Sequence, residues 1–199
     1  GGLKIAQPVV AQFRAVAEEQ PAPHETRVKD APQQRGGNAC LARTRAQARA
    51  FFDLPLSAKL ALPLRPDGVG YSPVAGENLA ASLGQAAPPD LKESLNVGAR
   101  FDRNQWPAEV PELRPTLEAY FSALANLAGE LLGVFALALE QPVDFFADKI
   151  DRHNSLLRVI NYPAPQQAPL PGQLRAGAHS DYGTLTILLS ENTPGGLQV

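Results

Sequence analysis

Apolar and polar positions alternate with two different periods along the chain, and the change from one to the other divides it. Val9, Val10, Phe13, Val16 and Ala17 recur at helical spacing and predict an amphipathic helix over residues 6 to 19. Residues 20 to 45 then hold Pro21, Pro23, Pro32, a Gly36-Gly37 pair and several basic side chains, with few large apolar ones. Such a run cannot bury a core and reads as loop or disorder. A helix ending near Phe51-Phe52, a break at Pro55 and a short helix through Lys59 and Leu62 follow. Residues 63 to 111 are rich in Gly and Pro without a sustained period, which predicts long loops with short strands. From Leu113 to Leu139 one broad stripe, including Leu117, Tyr120, Phe121, Leu124 and Leu132, predicts a long helix that tolerates Pro115 near its start. Pro142 opens a further short helix containing Phe145 and Phe146.

After Asn154 the period becomes two. Residues 155 to 162 form a β-rich run closed by Pro163, and Pro165, Pro169, Pro171 and Gly172 make a turn-rich connection. Residues 176 to 181 and 184 to 190 read as two strands around Tyr182-Gly183. Helices first and strands afterwards predict an α+β to mainly-β fold, with helices packed around an antiparallel sheet or sandwich. No internal repeat is present.

Composition narrows the class. At 199 residues the chain is one domain with room for a core, and 44% hydrophobic with 19% charged residues suits a folded rather than a disordered chain. A net charge of −2 offers nothing to nucleic acid or an anionic membrane, and the longest apolar run, 131 to 139, is too short to span a bilayer. No signal-peptide pattern opens the sequence, and a single cysteine, Cys40, excludes an internal disulfide framework. The expectation is a soluble, cytoplasmic domain with no nucleic-acid or membrane partner.

The candidate chemistry lies at His179 and Asp181. Two apart in a strand, both would point to one face while Ser180 points away. An imidazole and a carboxylate side by side can take two facial positions on a divalent metal, two-thirds of the two-His, one-carboxylate triad of Fe(II) oxygenases. With 3 His and 20 acidic residues among 199, chance alone gives about 0.3 such His-x-acid pairs per chain. The competing reading is a solvated His and Asp at a strand end. His153, beside Asp151 and Arg152, reads as a surface residue, and His24 and Cys40 lie in the segment without a core. Glu77 and Glu93 read as surface or structural carboxylates, because nothing in their spacing fixes a geometry.

Context carries more. The run Leu157-Arg158-Val159-Ile160-Asn161-Tyr162-Pro163, a Pro-rich turn, Gly177-Ala178-His179-Ser180-Asp181-Tyr182-Gly183-Thr184-Leu185-Thr186 and Gly195-Gly196-Leu197-Gln198-Val199 resembles the isopenicillin N synthase-like branch of the 2-oxoglutarate/Fe(II)-dependent dioxygenases. Phe51-Phe52-x-Leu54-Pro55, Gly70-Tyr71-Ser72-Pro73, Gly76-Glu77 and Asp90-Leu91-Lys92-Glu93-Ser94 are similar to that family's N-terminal region. The resemblance covers roughly residues 47 to 199. It implies a double-stranded β-helix (jelly roll) with N-terminal helices, incomplete here: residues 1 to 150 would form the helical region and 151 to 199 the first jelly-roll strands. It implies Fe(II) held by His179 and Asp181, 2-oxoglutarate contacted by Tyr162, and O₂ with a small organic molecule as the other reactants. Tyr162 could equally be a packing aromatic with a satisfied hydroxyl.

Two departures stand out. The family's distal histidine and its Arg-x-Ser would lie beyond residue 199, so no residue is assigned to them. Residues 20 to 45 stand where the family has a buried strand leading to His-Gly. The family reading implies oxidation of a small organic substrate by the whole enzyme, and these departures leave a second reading, a non-catalytic fragment.

Overall fold

The computed structural model describes residues 9–13, 35–84, 86–165, 167–181 and 183–189, in which two long helices cover one face of a five-stranded sheet. In chain order the elements are β1 (Val9–Phe13), α1 (Arg35–Phe52), α2 (Leu56–Leu60), β2 (Gly70–Ser72), β3 (Glu93–Gly98), α3 (Leu113–Ala138), α4 (Ala147–Ile150), β4 (Leu156–Asn161) and β5 (Leu185–Leu189). The strand order is β2-β3-β4-β1-β5, and every neighbouring pair is antiparallel.

Register explains the core. Tyr71 lies opposite Leu95, Leu95 opposite Val159, and Val97 opposite Leu157, so one face of the sheet is continuously apolar across β2, β3 and β4. These five side chains are buried, together with Leu113, Leu117, Tyr120 and Phe121 of α3 and Ala48, Phe51 and Phe52 of α1. By length and composition α3 could cross a bilayer. Its stripe instead fills the gap between sheet and α1, with Leu113, Leu117 and Ala136 fully buried. The opposite face of the sheet carries Ser72, Ser94, Asn96 and Arg158 at the alternate positions.

Three expectations change. The helix over 6 to 19 is replaced, where the chain is described, by β1, paired by β4 on one side and β5 on the other. Over five residues the spacing of Val9, Val10 and Phe13 does not separate a helix from a strand in mid-sheet, and two ladders decide it. The loop reading of 20 to 45 fails from Arg35 onward, because α1 begins there. Its Gly36-Gly37 pair sits in the first turn, and the Ala-, Arg- and Gln-rich remainder is good helix-forming sequence that buries Thr44, Ala48 and Phe51. Residues 20–34 lie outside the described residues, as does the Gly195-Gly196 motif. The strand expected over 176 to 181 is absent, whereas that over 184 to 190 appears as β5.

Three buried charges stand within four residues, Asp90, Lys92 and Glu93. Glu93 accepts from Lys59 Nζ at 2.8 Å, from the Tyr71 hydroxyl and from Asn161 Nδ2 at 2.6 Å. Lys59 also donates to the carbonyl of Phe52, the last residue of α1, at 3.0 Å. Burial and the Glu93 charge push the Tyr71 hydroxyl far up, so it stays a donor. Lys92 donates to Glu77 Oε2 at 2.8 Å, and Arg158 reaches the other oxygen at 2.5 Å. Burial pushes the Glu77 carboxyl up, but the Arg158 and Lys92 charges outweigh it and hold the group below its ordinary 4.5.

Two consequences are measurable. Glu93→Ala should cost about 3–5 kcal/mol in denaturant unfolding, because it leaves the Lys59 ammonium buried without its counter-charge; a loss under about 1 kcal/mol would contradict the network. A carboxyl lowered on folding stabilises above its unfolded pKa, and that contribution disappears as the pH falls through the lower folded value. Unfolding free energy should therefore decline below about pH 4.5, and more gently in Glu77→Gln. Identical acid profiles for the two proteins would count against it.

Candidate metal centre

Residues 173–181 form no strand because their polar groups are committed elsewhere. Gln173 Nε2 donates to the Pro89 carbonyl at 2.8 Å, the Leu91 amide donates to the Leu174 carbonyl at 3.0 Å, and the Gly177 amide donates to Asp90 Oδ1 at 2.9 Å. The segment is docked on residues 89–91 rather than laddered to a strand. Gly177 is needed for that approach: a Cβ there would lie 3.0 Å from both the Cβ and the amide nitrogen of Ala80. Asp90 uses its second oxygen on the Leu79 amide, at 3.0 Å, where the 3₁₀ turn Leu79–Leu83 begins.

His179 and Asp181 still come together, though not through the alternation of a strand. His179 Nε2 lies 3.3 Å from Asp181 Oδ1, with the two side chains 32% and 35% exposed. His179 Nδ1 is 2.8 Å from the Gly177 carbonyl oxygen. A carbonyl only accepts, so Nδ1 carries a proton, while Nε2 faces the Asp181 carboxylate, where a metal ion would replace any proton held between them. That is the arrangement metal-binding histidines use, one ring nitrogen tied to a backbone carbonyl and the other offered as ligand. Two donors on one small divalent ion at a right angle sit about 3 Å apart, and the observed separation suits that. One imidazole and one carboxylate, partly open to solvent, fit an Fe(II) ion as two of its ligands. Among the described residues no group of three His, Cys, Asp or Glu side chains is gathered.

Tyr162 follows β4 directly and is half-buried. Burial, then the Asp90 charge, pushes its hydroxyl up, against smaller opposing effects of Arg158 and Arg175. The Asp90 carboxylate that anchors Gly177 is thus also in electrostatic reach of Tyr162. Asn161 turns to Glu93, and Arg158 pairs with Glu77, so neighbours in sequence serve opposite faces of the sheet.

The other candidates are structural. His153 is half-buried rather than a surface residue: it stacks on Phe121 at 6.2 Å, its Nδ1 lies 2.9 Å from Ser155 Oγ, and burial holds its imidazole below 6.5. It stands at the far end of β4 from Tyr162. Cys40 is a half-buried free thiol in α1 packed against the core. Glu77 and Glu93 hold the fold as described. Sequence reasoning passed over Asp90 as a site residue, although it stands in the Asp90-Leu91-Lys92-Glu93 motif; three charges before an apolar strand were the available signal.

Comparison with known proteins bears on family and fold. Residues 36–116 match the family described as the N-terminal region of the non-haem dioxygenases in morphine synthesis. The chain is 31% identical over 174 residues to Validamycin A dioxygenase of Streptomyces hygroscopicus subsp. limoneus, covering 79% of this chain and 47% of that protein. It is 33% identical to a proline hydroxylase of Petromyces alliaceus, covering 77% and 51%. A full-length Neurospora crassa protein, solved in complex with alpha-KG and thymine, superposes with a TM-score of 0.62 at 27% identity, covering 78% of this chain and 52% of that one. The chain spans about half the length of the curated relatives it matches. In sequence and fold, then, the chain is similar to the 2-oxoglutarate-Fe(II) dioxygenases, and the family model that it matches is that of their N-terminal region.

Proposed function

We propose that the protein carrying this region oxidises a small organic molecule with Fe(II), 2-oxoglutarate and O₂, by hydroxylation or a related two-electron reaction. The observation that carries the reading is the His179–Asp181 pair, 3.3 Å apart with the far ring nitrogen of His179 tied to Gly177. His179 Nε2 and the Asp181 carboxylate would hold the ion, the Gly177 carbonyl keeping the imidazole in the tautomer that can bind. Bound Fe(II) and 2-oxoglutarate would supply the oxidising power: O₂ takes two electrons from decarboxylation to succinate and CO₂, and two from the substrate. Tyr162, kept protonated by its raised pKa, would donate a hydrogen bond to 2-oxoglutarate. The five-stranded sheet would be the first part of a jelly roll, its polar face turned to the site. The relatives' names, a Validamycin A dioxygenase and a proline hydroxylase, support a small polar molecule rather than a nucleic acid or a membrane as partner. The reading also implies a cytoplasmic enzyme.

A non-catalytic reading draws on one observation, that no third His, Cys, Asp or Glu joins the pair among the described residues. The same titration separates the two. Co(II) followed by visible absorption, as an air-stable substitute for Fe(II), should bind the chain with one saturable site. His179→Ala and Asp181→Ala should each weaken binding at least about tenfold, and His153→Ala should leave it within about twofold. Tyr162→Phe should leave Co(II) binding alone and weaken 2-oxoglutarate binding about two- to twelvefold, the loss of one hydrogen bond worth about 0.5–1.5 kcal/mol. Co(II) binding that survives loss of His179, or is absent altogether, would leave the non-catalytic reading standing.

A further inference from the structure

The geometry points to Asp90 as the positioning residue of the metal pair, an inference that rests on the reading of His179 and Asp181 as ligands. Asp90 is 2% exposed, and both carboxylate oxygens are used. Oδ2 accepts from the Leu79 amide at 3.0 Å and Oδ1 from the Gly177 amide at 2.9 Å. The carbonyl of that same Gly177 takes the Nδ1 proton of His179 at 2.8 Å. A line of charge-assisted and neutral hydrogen bonds thus runs from a carboxylate in the N-terminal half, through one glycine, to the ring that offers Nε2 to the ion.

No strand ladder fixes this part of the chain, so these contacts have unusual weight. Residues 173–181 are docked by the Gly177 amide on Asp90, by Gln173 on the Pro89 carbonyl and by the Leu174 carbonyl on the Leu91 amide. Of the three acceptors and donors that residues 89–91 supply, Asp90 alone is a side chain, so it alone can be removed by substitution. Gly177 cannot slide toward the turn, because Ala80 fills the space beside its Cα. It can move away once Asp90 is lost, and its carbonyl would then no longer define which nitrogen of His179 is protonated. Asp90 touches neither His179 nor Asp181 in any hydrogen bond or ion pair of the structure, which makes it a positioning residue and not a ligand.

The test uses the full chain and three readouts: His179 ring tautomer by long-range ¹H–¹⁵N correlation, Co(II) affinity, and the thermal unfolding transition. The tautomer is read without metal, so it does not depend on any activity. Wild type should show Nδ1 of His179 carrying a proton held on the Gly177 carbonyl, whether or not Nε2 also carries one toward Asp181. Asp90→Ala should show a mixture of tautomers and bind Co(II) about tenfold or more weakly, the usual effect of removing a partner behind a metal ligand. Asp90→Asn keeps one oxygen for one of the two amides and should fall between them. Should Asp90→Ala not unfold cooperatively, Asp90→Asn decides alone. A folded variant with wild-type tautomer and wild-type Co(II) affinity would overturn the proposal. His179→Ala separates the two levels: if it binds Co(II) like wild type the ligand reading is wrong, whereas if it does not bind while the Asp90 variants bind with wild-type affinity, only the positioning role is.

Discussion

Asp90, Lys92 and Glu93 place three charges inside the protein within four residues of chain. A buried charge left alone costs several kcal/mol, so each one dictates what must lie beside it. Glu93 draws in Lys59, Tyr71 and Asn161, and through Lys59 the end of α1, which sets the helical layer against β2, β3 and β4. Lys92 draws in Glu77, which in turn holds Arg158 on the opposite face of the sheet. Asp90 has no cation within bonding distance among the described residues and satisfies its charge on two backbone amides, 11 residues upstream and 87 downstream. One short segment therefore specifies the contacts of the helices, the polar sheet face and the loop that carries His179.

The parts of the fold read from sequence were those with enough residues for a period to show. The 26 residues of α3 display a stripe that no strand could imitate, and β4 alternates Leu157, Arg158, Val159 between the two faces. The parts misread were short or governed by distant contacts. Val9–Phe13 has too few residues to distinguish the two periods, and its strand state comes from β4 and β5, some 150 residues away or more. Gly36 and Gly37 looked like a break because propensity does not record that a first helical turn tolerates them.

At the site, residue identity was legible and backbone state was not. His179 and Asp181 come together as their spacing suggested, but in a docked irregular segment whose shape is written by Pro89, Asp90 and Leu91. No local pattern around His179 contains that information. The same holds for Arg158 and Asn161, close to Tyr162 in sequence yet tied to Glu77 and Glu93 by pairing partners far along the chain. Chemistry is visible from residue types at a fixed spacing, whereas the groups that orient it are visible only once the chain has folded.

Anomalous diffraction from Mn(II)-soaked crystals of the chain tests the central claim most directly, because it locates the ion without reference to affinity or activity. One strong peak is expected in coordination distance of both His179 Nε2 and the Asp181 carboxylate, with His179 Nδ1 still on the Gly177 carbonyl. A site that stays empty at saturating Mn(II), or a peak held instead by surface carboxylates such as Asp148 and Asp151, would contradict it.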